Sequence, residues 1–468
     1  MADAREDLFR AIPSIEAMLE EDEFQHAARE GPRRIVVDSL REAVEAARSA
    51  LRSKPTADLA AAALGERIRA DARRRIEAAL RPHYRRVINA TGVILHTALG
   101  RAVLPQKAAR QIIDELSGYS LLQADLETGR RSPRDARIQW LLRQLTGAEA
   151  ATVVNNNAAA TAIVLNTFAK GREVIISRGQ LVEIGGSFRL PDVIAASGAR
   201  LVEVGTTNRT HPADYAAAIS ENTAAILRVH PSNYQVTGFT AETSLDDLVG
   251  IAHARGVLMI DDLGAGALID LSRFGFDKEP LLADSLRAGA DLVTASTDKL
   301  IGAAQGGLIL GRPELIQTIR KNPFARIVRV GKLTLAALEA TLLLHLDPAR
   351  SLAEIPTWRM LDRSLADVAA QADRIAAAIG GRAPHAGVEL IDGVTQMGSG
   401  SLPTQGVATR LVAVVHRSRG FDELALRLRR HDPPVFARIH KGQLLLDPRT
   451  LLPGEEEPLV EALVEALS

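Results

Sequence analysis

Cysteine is absent from the 468 residues. That excludes disulfides and cysteine nucleophiles and fits a reducing compartment. Net charge is absent as well, because 57 Lys and Arg face 57 Asp and Glu. Nothing global therefore points to a nucleic-acid or membrane surface, and any such contact has to come from local charge. Aromatic residues make up only 3% of the chain, so a single-stranded nucleic acid stacked along aromatic platforms is not expected. No apolar run approaches the roughly 18 residues that cross a bilayer. The start, Met1-Ala2-Asp3-Ala4-Arg5-Glu6-Asp7, is charged and lacks the apolar core of a secretory signal. The expectation is a soluble, cytoplasmic protein of two or three domains.

Residues 1–86 read as short helices. Ser14 is a candidate N-cap, and Ile35, Val36, Leu40, Val44, Ala47 and Leu51 give an apolar face at helical spacing over 33–51. A third helical pattern covers 57–80 and runs into an arginine-rich cluster from Arg67 to Arg86. Such a cluster is either a solvated face or a phosphate-binding surface, and the scarcity of aromatics favours a folded RNA held through its backbone.

From Val87 the character changes. Strand-like runs recur at 151–154, 173–177, 200–204, 224–229, 257–260 and 291–295, separated by segments of crossover length. This rhythm predicts an α/β domain over 87–340 with a mostly parallel sheet, followed by a small α/β domain over 341–468. Ligands in such sheets collect beyond the carboxyl ends of the strands. Asn156 and Asn157 follow the first run, Gln180 the second, His230 and Asn233 the fourth, Asp261 and Asp262 the fifth, and Ser296 and Lys299 the last. Each alone has an ordinary structural reading, such as a helix cap, a satisfied histidine or a turn lysine. Together they meet one demand. Pyridoxal 5'-phosphate (PLP) needs an anion site, a donor for its 3′-oxygen, a carboxylate for its ring nitrogen and a lysine for its aldehyde. Asn156/Asn157, Asn233, Asp262 and Lys299 supply these types in that order.

The motifs Asn89-Ala90-Thr91-Gly92, His96-Thr97-Ala98-Leu99-Gly100-Arg101, Asn155-Asn156-Asn157, Ser177-Arg178-Gly179-Gln180, Gly205-Thr206-Thr207-Asn208-Arg209, Ser232-Asn233-Tyr234, Asp262-Leu263-Gly264 and Asp298-Lys299-Leu300 resemble the bacterial selenocysteine synthase family, the L-seryl-tRNA(Sec) selenium transferases. The resemblance extends along essentially the whole chain. It implies the PLP-dependent transferase fold (fold type I, aspartate-aminotransferase-like), with an N-terminal helical domain that binds tRNA. Lys299 then matches the Schiff-base lysine and Asp262, rather than Asp261, the acid facing the pyridinium nitrogen. Ser296 matches a cofactor-phosphate ligand, and Gln180 the group over the ring face. Arg101, Arg326 and Arg329 match arginines near the selenium donor's phosphate. The last two belong to a run over 324–332 that places cations at a spacing of three, a shared face if helical. Arg438 is left structural, since an esterified substrate carboxylate needs no clamp. The implied partners are seryl-tRNA(Sec), selenophosphate and further copies of the chain, in a homo-oligomer built as a ring of dimers. The competing readings are a PLP lyase acting on a small amino-sugar or amino-acid substrate and a non-catalytic tRNA-binding protein.

Overall fold

The computed structural model describes residues 7–53, 61–186, 188–399, 401–416 and 420–468. The chain divides into two compact units, Met1–Arg86 and Val87–Ser468.

In the first unit, helices Ile15–Leu19, Asp22–Glu30, Arg33–Ser53 and Ala61–Leu80 surround a core of Met18, Phe24, Val36, Leu40, Ile68 and Ala72. Ser14 caps the first of these by accepting from Ala17 N at 3.1 Å. The expected start of the last helix at Ala57 lies outside the described residues, as do residues 1–6. The arginine cluster is largely not an open cationic face. Arg69 forks onto Glu21, with Nη2 at 2.8 Å, Arg73 reaches Glu23 at 3.2 Å, and Arg75 joins Asp71 at 2.9 Å and Glu42 at 2.8 Å. The acids come mainly from neighbouring helices, which is why the sequence of this one helix hides them.

The second unit contains β1 (Ile88–Ala90), β2 (Ala150–Val154), β3 (Glu173–Ser177), β4 (Glu183–Ile184), β5 (Phe188–Arg189), β6 (Arg200–Val204), β7 (Thr223–Val229), β8 (Leu258–Gly264), β9 (Leu292–Ser296), β10 (Gly307–Gly311), β11 (Ala386–Gly398), β12 (Ser401–His416), β13 (Val435–His440) and β14 (Gln443–Leu446). The central sheet has seven strands in the order β2-β10-β9-β8-β7-β3-β6. Pairings from β9 through β6 are parallel, while β10 runs antiparallel to both β2 and β9. Away from the edge strand β6 its side chains are almost all buried, as expected for strands covered on both faces. The helix Asn157–Phe168 covers one face, packing Ala160, Ile163 and Val164 into the cluster that holds Ile176, Leu227 and Ile260.

The C-terminal sheet runs β1-β13-β14-β12-β11. β1 pairs in parallel with β13, Ile88 opposite Val435, and Val93 bridges Gln396. The run at Val87, expected to open the large domain, therefore belongs to the sheet of the C-terminal region. Ile88 and Ala90 are fully buried there among Val412, Leu444 and Leu446.

Among the described residues, no helix is long and apolar enough to cross a membrane. The helix Lys332–His345 ends in a buried histidine whose Nε2 donates to the Ile301 carbonyl at 2.9 Å. Burial pushes the His345 pKa down to about 4. An unfolded histidine titrates near 6.5, so as the pH falls the unfolded chain takes up this proton first. Stability is thus fully present above about pH 6.5 and is lost as the pH falls toward 4, by an amount on the order of 3 kcal/mol. Urea midpoints of the wild type and His345→Gln, measured at pH 7 and pH 4.5, should show a smaller acid loss in the variant.

Candidate active site

The ends of β2, β7, β8 and β9 converge on a cleft of about 330 Å³. Asn156 and Asn157 enter it after β2, His230 and Ser232 after β7, Asp262 from β8, and Ser296 and Lys299 from the end of β9. Arg101 arrives from a separate loop.

Lys299 sits in the turn that links β9 to β10. Thr297 N donates to Gly306 O at 3.0 Å and Gly302 N to Lys299 O at 3.0 Å, which closes the turn. Gly302 takes φ 74°, the left-handed region that favours glycine. The lysine is 7% exposed. Burial is the main influence holding its ammonium below the ordinary lysine range, and the Arg101 charge adds to it, against Asp298 and Asp262. The shift favours the neutral, nucleophilic form of the amine.

Strand alternation sends the two adjacent acids of β8 to opposite faces. Asp261 is fully buried against Arg228 Nη1 at 2.9 Å and Ser285 Oγ at 2.6 Å. Asp262 faces the cleft. It accepts from Asn157 Nδ2 and Thr161 Oγ1, each at 2.7 Å, and from Gly264 N at 3.1 Å. The first two donors stand one turn apart on the helix Asn157–Phe168. Burial nevertheless pushes the Asp262 carboxyl above the usual range, with these hydrogen bonds opposing it. Among the described residues, no Lys, Arg or His forms an ion pair with it.

Asn156 is the N-cap of that helix, its Oδ1 accepting from Ala159 N at 2.8 Å. Asn157, the expected cap, instead reaches Asp262, and its own Oδ1 is buried without a partner. Gly307 lies so close that a Cβ there would stand 2.1 Å from the Asn156 carbonyl oxygen. β10 can approach the start of this helix only as glycine.

Arg101 takes φ 62° directly after Gly100 at φ 95°, a strained arrangement for a side-chain-bearing residue. Its Nη1 donates to Asp298 Oδ2 at 2.6 Å, and Asp298 Oδ1 is buried without a partner. Asp298 had no role in the sequence reading although it adjoins Lys299, because its partner lies far away in the chain. Taken alone, His230 reads as a structural histidine. Its Nε2 stands 2.9 Å from Glu279 Oε2, and the ring lines the cleft.

Other expected residues are not brought to this cleft. Gln180 Oε1 accepts from Val229 N at 3.1 Å, and its side chain lines a neighbouring cavity. Asn233 Nδ2 donates to Glu183 O at 3.2 Å, while Ser232 lines the cleft. Arg326 and Arg329 are exposed and off the cleft. Nor do they share a helix face: the helix there is only Phe324–Ile327, and the chain then extends beside β2. Asn155 N donates to Val328 O at 2.9 Å and Arg329 bridges Val154. β-Branched Val328 and Val330 disfavour continuing the helix there. Arg134 lies nearby; burial lowers its pKa first, followed by the charges of Arg329 and Arg131.

A family model described as L-seryl-tRNA selenium transferase matches residues 87–452, and one described as selenocysteine synthase N terminal matches residues 9–48. An L-seryl-tRNA(Sec) selenium transferase of Desulfomicrobium baculatum is 45% identical over 96% of this chain and 96% of its own. Another, from Geobacter sulfurreducens, is 44% identical over 98% of this chain and 100% of its own. Among solved structures, that of a D-glucosaminate-6-phosphate ammonia-lyase shares the fold, with a TM-score of 0.58 at 23% identity over 84% of this chain and 98% of that one. The match runs through the helical unit and the cleft alike, and this chain belongs to the L-seryl-tRNA selenium transferase family.

Proposed function

We propose that the protein converts L-seryl-tRNA(Sec) to L-selenocysteinyl-tRNA(Sec) with selenophosphate, using PLP held in the cleft around Lys299. The observation that carries this reading is the pairing of a buried lysine, kept below its ordinary pKa, with a buried carboxylate on the next strand. The cleft's residues fit PLP. Asp262 has three neutral donors and, among the described residues, no ion-paired cation, so a protonated ring nitrogen would supply the charge its burial calls for. The amine of Lys299 suits the aldehyde, and the start of the helix at Asn157, with Ser296, suits the phosphate. When bound, PLP supplies an aldehyde for an amine and a ring that draws electrons from the adjoining carbon.

The chain's own groups divide the remaining work. Lys299 would take the proton from the serine α-carbon, its burial favouring the neutral amine that can act as a base. Asp262 would hold the proton on the ring nitrogen. The serine β-hydroxyl leaves with a proton as water, selenium forms the new bond to the β-carbon while Lys299 returns a proton to the α-carbon, and water cleaves the selenium–phosphorus bond to release phosphate. Arg101, fixed by Asp298, presents a guanidinium to the donor's phosphate. Purified protein given PLP, seryl-tRNA(Sec) and selenophosphate should yield selenocysteinyl-tRNA. No product, with ammonia released from amino-sugar phosphates instead, would contradict this reading.

The working form is a homo-oligomer in which Arg326 and Arg329 serve the cleft of a second copy. Their exposure and their position off their own cleft support this, as does Ile327 between them, an isoleucine 73% exposed. A mixture of Lys299→Ala and Arg329→Ala proteins, co-expressed so that subunits exchange, should recover activity that neither has alone. Absence of recovery places the arginine and the lysine in the same subunit's site.

The helical unit of residues 1–86 binds the tRNA through arginines not committed to carboxylates. Exposed ion pairs are worth at most about 1 kcal/mol and can be exchanged for phosphate, but Arg67 is exposed and forms none among the described residues. Arg67→Glu should weaken tRNA binding and reduce the slope of log affinity against log salt by about one, with the cofactor spectrum unchanged. An unaltered slope would remove this face from the tRNA contact.

A further inference from the structure

On the reading above, the reacting serine is esterified to the ribose at the 3′ end of a tRNA. The terminal nucleoside must then lie one ester linkage from the carbon that reacts beside Lys299. A second cavity, of about 460 Å³, shares a wall with the cleft, for His230 and Ser232 line both. Its other walls are the turn after β6, the segment that follows Ser232, and the stretch around Lys278.

The chemistry of this cavity suits a nucleoside. Asn208 offers an amide, Glu242 a carboxylate that can accept from hydroxyls, and Arg209 and Lys278 are cations for an adjoining phosphate. Next to the lining residue Thr240, Phe239 is 84% exposed in a chain that is 3% aromatic. The loop bearing this phenyl is pinned to the cavity: the Phe239 carbonyl accepts from Asn208 Nδ2 at 2.6 Å and from Arg209 Nε at 3.2 Å. Gly179 keeps the opposite wall close to the same turn, since a Cβ there would stand 2.6 Å from Thr207 O. An exposed aromatic next to a polar cavity is a usual arrangement for stacking a base and reading its edge.

We propose that this cavity seats the 3′-terminal nucleoside of the aminoacyl-tRNA, the base against Phe239 and the ribose toward His230 and Ser232, so that the ester passes through the shared wall to Lys299. This assignment rests on the proposed function and extends it to a substrate subsite.

The test uses the PLP-loaded full chain, its Phe239→Ala variant and the cavity-filling Thr240→Trp variant. Affinities are measured for uncharged tRNA(Sec) with and without its terminal nucleotide, alongside KM and kcat for seryl-tRNA(Sec). The wild type should bind the complete tRNA about tenfold more tightly than the truncated one. In both variants that ratio should fall to near one, and KM should rise about tenfold with kcat and the cofactor absorbance unchanged. Equal wild-type affinities for the two tRNAs, or a ratio that survives both substitutions, would overturn the seat. Product formation together with an unchanged ratio contradicts the seat alone, whereas a wild type that forms no product contradicts the proposed function itself.

Discussion

A Lys299→Ala protein is expected to lose seryl-tRNA turnover by about 10⁴-fold and to lose the absorbance of covalently held PLP. Among the described residues lining the cleft, Lys299 is the one lysine. No neighbouring amine can replace it as nucleophile toward the aldehyde or as base at the α-carbon. The fold should tolerate the change, because the turn around Lys299 is closed by backbone bonds from Thr297, Leu300 and Gly302. Removing a depressed, buried amine also removes a desolvation cost. Circular dichroism should therefore match the wild type while activity disappears. A variant that kept its PLP band and its turnover would contradict the assignment.

The second large effect is expected at Asp262→Asn, with a fall in kcat of about 10²- to 10³-fold. The amide fills the same space but carries no charge to hold the ring nitrogen's proton. It also turns an NH₂ toward the donors Asn157 Nδ2 or Thr161 Oγ1. The neighbouring Asp261→Asn provides the contrast. Its target pairs with Arg228 and Ser285 on the opposite face of β8. That substitution breaks a buried ion pair and should cost stability, about 3 kcal/mol, with kcat of the folded enzyme close to wild type. Paired kcat and urea-midpoint measurements separate the two: activity falls at 262, stability at 261. Exchange of those outcomes would reverse the assignment of the faces.

The parallel core was legible because most of its strands are buried on both sides and read as apolar runs, and the active-site candidates other than Arg101, Arg326 and Arg329 each followed one of them. Lys299, Asp262, Ser296, Asn156 and Asn157 do gather in one cleft. Pairings made by residues distant in sequence were not legible. β10 was not among the expected strands, and its first residue, Gly307, is small because the Asn156 carbonyl occupies its Cβ position. β1 carried no mark of the distant β13 it pairs with. The arginine spacing over 324–332 suited a helix until β2 offered an edge to Val328 and Arg329. Gln180 and Asn233 follow strands as required, but backbone groups of Val229 and Glu183 take up their side chains. The ion pairs of the N-terminal arginines were invisible for the same reason, since Glu21, Glu23 and Glu42 lie on other segments.

The most direct test of the account is to load the purified protein with PLP, reduce it with borohydride, digest it and locate the pyridoxyl group by mass spectrometry. The account predicts the label on Lys299 and its loss from the treated Lys299→Ala protein. Label on another lysine, or none on a protein that still turns over seryl-tRNA(Sec), would contradict it.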